Sequence, residues 1–255
     1  MQIRSVQLLR AIAALFVVGF HSTVLWHDKF DADVTPWKNG NSGVDLFFVI
    51  SGFIMVLSSR RLLGLADGWK QFITLRLVRI VPMYWLVTAA KLAAVAAVPA
   101  LALHTRPTGW NIAASFLFIP SRDAVGVVRP VLDVGWTLSF EMLFYIVFAM
   151  AMFFALDQLA VLGPVMVVLA LASLAMHADW PAFTTLADPI VLEFVFGVVV
   201  ARAAAGKWLS VAPVYCTIFA ALGVACLTLV PADGQWERMF IWGIAGGVAN
   251  VVEMA

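Results

Sequence analysis

The chain has 255 residues, of which 63% are hydrophobic and 12% charged, with a mean hydropathy of +0.98. An ordinary water-soluble domain is about half apolar and about a quarter charged, so bulk water is not the solvent for most of this chain. The formal net charge of +1 supplies no broad basic field, and no Lys/Arg run is present, so nucleic acid is set aside as a partner.

Apolar runs long enough to cross a hydrocarbon core of about 30 Å recur from one end to the other, at 6–26, 43–59, 81–103, 136–156, 159–176, 186–204, 211–230 and from 239 onward. The chain therefore reads as all-α, a polytopic transmembrane helix bundle with about eight spans in the lipid bilayer. The first run continues through Val24, Leu25 and Trp26 without a small-x-small cleavage site, and reads as an uncleaved span. The last reaches Ala255 without a polar flank, as expected of a bundle that continues in a longer parent chain. With no fixed-period repeat or polar linker, 1–255 reads as a single integral membrane domain, truncated at its C-terminus. Cys216 and Cys226 would lie about 15 Å apart on one helix, beyond disulfide reach. No metal and no tightly bound cofactor is expected.

Orientation follows from the positive residues of the short loops, which stay on the cytoplasmic side. Segment 60–79 carries Arg60, Arg61, Lys70, Arg76 and Arg79 against Asp67 alone, while loop 27–41 carries Asp28, Asp31 and Asp33 against Lys29 and Lys38. Loop 27–41 is then outside, segment 60–79 inside and the N-terminus cytoplasmic, which also puts Arg202 and Lys207 inside. Arg106, Arg122 and Arg129 fall in an outer segment against the trend. Its apolar stretch 112–119 is too short to span and reads as re-entrant or interfacial.

Ionisable side chains inside spans cost a few kcal/mol or more unless they face a polar interior, so each raises a functional question. Arg10 and His21, eleven residues apart, project from one face of the first span about 16 Å apart along its axis. Taken alone, Arg10 also serves as a snorkelling anchor and His21 as an interhelical hydrogen bonder. Asp45 opens the second span, where the helix dipole favours a negative charge. Glu141 lies about one turn inside the fourth span, where helix-start chemistry explains it less well. His21, Asp45 and Glu141 all fall in the outer half of their spans, and an imidazole oriented by a carboxylate is the arrangement of general-base catalysis. On the other side, 69–80 reads as an amphipathic segment preceding the third span, with Arg76 and Arg79 spaced to grip a phosphate; binding of lipid phosphate is the bland alternative. Lys91 sits near the middle of the expected third span, where it would pair within the bundle.

Four blocks occur in order: 7–14 with His21, Gly43-Val44-Asp45-Leu46-Phe47-Phe48-Val49-Ile50-Ser51-Gly52-Phe53, Arg76-x-x-Arg79-Ile80-x-Pro82-x-Tyr84, and Trp136-Thr137-Leu138-Ser139-x-Glu141-x-x-Phe144-Tyr145. This set resembles the membrane acyltransferase family three of bacterial integral membrane O-acyltransferases, and within it the exopolysaccharide-production acetyltransferases. The resemblance covers about the first 145 residues, and beyond them the 192–197 segment. It implies about ten helices, a cytoplasmic acyl-CoA donor such as acetyl-CoA, an essential histidine at His21, and donor-binding arginines at Arg76 and Arg79. Sugars of surface polysaccharides are the acceptors it implies. Arg10, Tyr84, Trp136 and Ser51 join the expected substrate-binding set.

The resulting expectation is a multi-pass enzyme of the bacterial inner membrane that moves an acyl group, acetyl first, from acyl-CoA to a carbohydrate hydroxyl. His21 is its general base, Asp45 or Glu141 orients the base, and Arg10, Arg76 and Arg79 receive the donor. A covalent route through Ser51 or Ser139 lacks a distinctive nucleophile motif. A secondary transporter is the rival from another class, since buried charges also serve ion coupling, but no inverted repeat is visible. A scaffold subunit would leave His21 and Glu141 without a role. The charge bias predicts that a cysteine placed in loop 27–41 reacts with an impermeant reagent from outside while one near Ala66 does not, and the reverse labelling pattern would overturn the orientation.

Overall fold

A computed structural model describes residues 4–30, 33–98, 106–177 and 179–205 of the chain. In order, its helices are α1 (Arg4–Lys29), α2 (Ser42–Ser59), α3 (Gly68–Ala97), α4 (Gly109–Phe116), α5 (Gly135–Phe153), α6 (Gln158–Ala172) and α7 (Val191–Ala205), with short 3-10 turns at Lys38–Asn41, Ser173–Ala175 and Ala182–Leu186. Among the described residues there is no β-strand, only an isolated bridge between Arg122 and Val128. Helix is what a bilayer demands, because lipid offers no partner for backbone N–H and C=O groups. Among the described residues six segments are long and apolar enough to span: Val6–Lys29, Lys38–Ser59, Gly68–Ala97, Gly135–Phe153, Gln158–Ala175 and Ala182–Ala205. They correspond to the first six expected spans. The expected spans at 211–230 and from 239 onward, with Cys216 and Cys226, lie outside the described residues.

The described residues form two compact units, one from those up to Ser58 together with those from Glu193 on, the other from Ser59 to Leu192. In the first unit the helices meet through glycine. A Cβ on Gly43 would overlap the Ala13 carbonyl of α1, one on Gly52 the Phe194 carbonyl of α7, and one on Gly197 the Val49 carbonyl of α2. Around these approaches Val6, Ala13, Leu46, Ile50, Phe53, Val200 and Ala201 form a buried core, and the Phe48 and Phe194 rings lie 4.6 Å apart. Lipid tails are as apolar as leucine, so close backbone packing rather than escape from water holds such helices together.

In the second unit α3 and α5 run antiparallel. The pairing is visible at both ends: Trp69 meets Phe153 at 5.4 Å and Phe72 stacks on Phe148 at 4.9 Å, while Tyr84 closes on Gly135, where any Cβ would overlap the phenol. Helix α6 packs on α5 and starts at Asp157, whose carboxylate accepts the Ala160 N–H at 2.9 Å.

Helix α3 departs from the sequence reading. The expected amphipathic segment 69–80 and the third span are one 30-residue helix with Pro82 inside it. Proline removes one i→i−4 bond, a loss that membrane helices tolerate. The amphipathicity is also the reverse of that in a water-facing helix: Phe72 and Arg76 are buried, whereas Leu75 and Val78 are 66% and 67% exposed. Because the solvent is lipid, apolar side chains turn outward and the guanidinium turns in. The early start of α3 also moves Lys91 from the middle of a span to the helix's last two turns, where its Nζ lies 3.4 Å from Asp133 Oδ2.

Residues 106–134 form an ordered cap between α3 and α5. Helix α4, about 12 Å long, is too short to span and is capped by Thr108, whose hydroxyl accepts the Asn111 N–H at 3.1 Å. Asn111, fully buried, donates to Ser121 Oγ at 2.9 Å and to the Arg129 carbonyl at 2.8 Å. Ser115 Oγ donates to the Asn111 carbonyl at 2.7 Å and accepts the Val131 N–H at 2.9 Å. Two of the three arginines that opposed the charge bias have structural partners: Arg122 donates to the Gly126 and Trp180 carbonyls at 2.7 and 2.9 Å, and Arg129 Nε pairs with Asp123 Oδ2 at 2.9 Å.

The glycine contacts predict that Gly52→Val, which forces apart the α2–α7 approach, lowers the yield of monodisperse protein in detergent and its thermal midpoint. Gly163→Ala in α6, where a Cβ meets nothing within 4 Å, should be neutral or slightly stabilising. Equal behaviour of the two variants in size-exclusion and thermal-melt measurements would contradict the packing role of Gly52.

Candidate active site

The most connected polar group of the second unit is built by α3 and α5. Arg76, only 8% exposed, sits with its Cζ 5.5 Å from the Phe72 ring centre and 5.8 Å from that of Tyr145. Tyr145, whose ring the Arg76 guanidinium approaches, donates a hydrogen bond to Glu141 Oε1. A guanidinium, a phenol and a carboxylate thus form a chain within the helix pair, with Arg79 and Glu141 both close enough to act electrostatically on Arg76. The local reason is register. Glu141 and Tyr145 are i and i+4 on α5, as are Phe72 and Arg76 on α3, so each pair shares one face of its helix.

Of the expected donor arginines, Arg76 is buried in this network and Arg79 is exposed. The two are therefore not equivalent, although their spacing suggested one phosphate grip. Tyr145 was part of the motif but not of the expected site; its place four residues after Glu141 was the signal that could have singled it out.

Tyr84 and Trp136, the expected substrate-binding aromatics, line one cavity of about 240 Å³ inside the second unit. Its walls include Phe118, Arg129 and Asp188, none of which the sequence reading placed in the site, and Ser139, which it raised only for a covalent route. Tyr84 is buried and its ring lies 4.8 Å from that of Phe118, while Trp136 meets Phe140 edge-on at 5.9 Å. The cavity adjoins the first turns of α5, and the Arg76–Tyr145–Glu141 chain begins on the next turn of the same helix.

The first unit holds the remaining residues. His21 is on α1 with its imidazole exposed and 5.2 Å from the Phe20 ring in edge-on contact. Arg10 lies three turns earlier and is half-buried. Asp45 is in the first turn of α2 and buried, with Ser51 half-buried further along that helix. Arg10, Asp45 and Ser51 are each engaged in interactions. Glu193, in the first turn of α7, is a second buried carboxylate of this unit, which the sequence reading quoted only as part of an apolar segment. No group of three or more His, Cys, Asp or Glu side chains arranged to hold a metal occurs among the described residues.

A family model described as an acyltransferase domain matches residues 3–251. The exopolysaccharide production protein ExoZ of Rhizobium meliloti (strain 1021) is 42% identical over 166 residues, covering 63% of this chain and 50% of the relative. The chain thus spans about half the length of the curated relative it matches. No solved structure matches it. With its apolar helices of spanning length and a family match over nearly its whole length, the chain belongs to the membrane acyltransferase family three and is a multi-pass membrane protein.

Proposed function

We propose that the protein transfers an acyl group, acetyl in the first instance, from cytoplasmic acyl-CoA to a hydroxyl of a bacterial surface polysaccharide or its lipid-linked precursor. The arrangement of buried Arg76 and Tyr145 with half-buried Glu141 carries this reading, because it holds a cation in the bundle at a defined position beside a carboxylate. The name of the exopolysaccharide production relative supports the acceptor class. The enzyme sits in the inner membrane with its N-terminus in the cytoplasm, and acyl-CoA is a substrate rather than a resident cofactor.

In this mechanism a ring nitrogen of His21 takes the proton of the acceptor hydroxyl as the hydroxyl oxygen bonds to the thioester carbonyl carbon. The tetrahedral intermediate collapses, the C–S bond breaks, and the imidazolium returns the proton to the departing CoA sulfur. Asp45, in the same unit, is the carboxylate assigned to orient and stabilise the imidazole, with Arg10 on the His21 stripe of α1. Arg79, exposed, takes donor phosphate, and Arg76 is held in place by Tyr145 and Glu141. Ser51 lines the substrate path without forming a covalent intermediate. Mass spectrometry of the glycan from a deletion strain tests the whole reading: one acetyl mass should disappear from a defined sugar.

His21→Ala and His21→Gln should both insert normally and lose about 10² to 10⁴ in turnover at saturating acyl-CoA, because glutamine keeps hydrogen bonding but cannot cycle a proton. Near-normal turnover of His21→Gln would reduce His21 to an interhelical hydrogen bonder. Arg79→Ala should raise the apparent KM for acyl-CoA about tenfold or more, since a hydrogen bond to a charged group contributes roughly 1.5 to 3 kcal/mol, and Arg79→Lys should restore it only in part. Tyr145→Phe, which cuts the link between Arg76 and Glu141, should lower kcat up to about tenfold at normal membrane levels. An unchanged donor KM in Arg79→Ala, or unchanged kcat in Tyr145→Phe, would remove the respective residue from the site.

A further inference from the structure

The cavity lined by Tyr84 and Trp136 has features that the acyl-transfer chemistry alone does not require. At about 240 Å³ it falls below the roughly 300–1,000 Å³ of pockets that take drug-sized ligands, so it has room for one small ring and not for a coenzyme. Its walls combine aromatic surface from Tyr84, Phe118 and Trp136 with a guanidinium, a carboxylate and the Ser139 hydroxyl. A hydroxyl group both donates and accepts, so adjacent hydroxyls on a ring need donors and acceptors together, whereas the C–H face of the same ring needs apolar surface. A phosphate or carboxylate ligand would use Arg129 but be repelled by Asp188.

Two further observations show that the cavity is built. Arg129 is anchored from behind: Nε pairs at 2.9 Å with Asp123, whose carboxylate is fully buried and also accepts the Val125 and Val127 N–H groups at 3.0 and 2.9 Å. The terminal guanidinium nitrogens have no partner among the described residues. Phe118 adopts φ +59°, a left-handed conformation ordinarily left to glycine at the end of a helix. It closes α4, with its own N–H bonded to the Ser115 carbonyl at 3.2 Å and the Ile119 N–H to the Ala114 carbonyl at 2.9 Å. A bulky aromatic at such a position is strained, and the strain sets its ring against Tyr84 in the cavity wall.

We infer that this cavity docks one neutral pyranose ring of the acceptor, with Arg129 and Asp188 reading neighbouring hydroxyls and Phe118, Tyr84 and Trp136 flanking the ring. The inference rests on the proposed transfer to carbohydrate and names where the acceptor is selected. Trp136, Ser139 and Phe140 of α5 line the cavity, so the docked ring sits against the first two turns of that helix.

Saturation-transfer NMR on the full-length protein in nanodiscs tests this directly, using methyl β-D-glucopyranoside and methyl β-D-galactopyranoside without acyl-CoA. Wild type should transfer saturation to ring C–H protons of at least one glycoside. Asp188→Asn, which keeps a side-chain oxygen to accept the Ile190 N–H, and Arg129→Ala should each weaken that binding about tenfold. Phe118→Gly should weaken it as well while the thermal midpoint holds or rises, because glycine removes the backbone strain; a residue with a purely structural role would not separate the two readouts. No transfer from either glycoside to wild type, or affinities unchanged in Asp188→Asn and Phe118→Gly, would overturn the proposal. Since no donor is present, sugar binding lost in Asp188→Asn supports the cavity even where no acyl transfer is detected. Conversely, acyl transfer with an unchanged acceptor KM in Asp188→Asn overturns the cavity and leaves the transfer reading standing.

Discussion

Lipid offers polar groups no partner, and the arrangement of α3 and α5 follows from that. A guanidinium on a helix face that meets lipid is costly unless it finds a polar partner. Arg76 therefore turns into the helix pair, and Leu75 and Val78 on its flanks turn out. Inside, it meets two aromatic rings and the Tyr145 phenol, which passes the contact to Glu141. The same arrangement leaves Arg79 exposed, so two arginines of one motif hold different positions.

The cap between α3 and α5 meets the same demand with hydrogen bonds. Asn111 ties α4 to Ser121 and to the backbone at Arg129, and Ser115 ties it to Val131. Arg122 and Arg129 are occupied by loop carbonyls and by Asp123 respectively. Positive residues that serve as structural bonding partners carry little information about orientation, which accounts for their disagreement with the charge bias of the other loops. A cap held this firmly also keeps a cavity open at the start of α5, one turn from the Arg76 chain.

In the first unit the controlling contacts are steric. Gly43, Gly52 and Gly197 each face a carbonyl oxygen of another helix, so the absence of a side chain sets the distance between backbones. Asp45 lies two residues beyond Gly43 in the first turn of α2 and is buried. The approach that packs α2 therefore also positions one of the proposed catalytic groups.

Span positions were legible in the sequence because length and hydropathy are local properties: the first six expected segments each correspond to a helix of spanning length. Asp45 at a helix start and the shortness of 112–119 were legible for the same reason, and so was the family, through four ordered motifs. Which way a side chain faces was not, since that depends on the neighbouring helix. Segment 69–80 read as an amphipathic piece separate from the third span, with Arg76 and Arg79 on neighbouring positions, whereas pairing with α5 draws Arg76 inward and α3 runs on through Pro82. Tyr145 gained its role only when α5 brought it against Arg76. Arg129, Phe118 and Asp188, each separated by tens of residues from Tyr84 or Trp136, line one cavity only because the cap folds over the ends of α3 and α5. By itself the sequence determined where six apolar segments of spanning length lie among the described residues and which family the chain joins, because both are written in local composition and order. Tertiary structure alone decided which polar groups meet, because in lipid each must find its partner on another element.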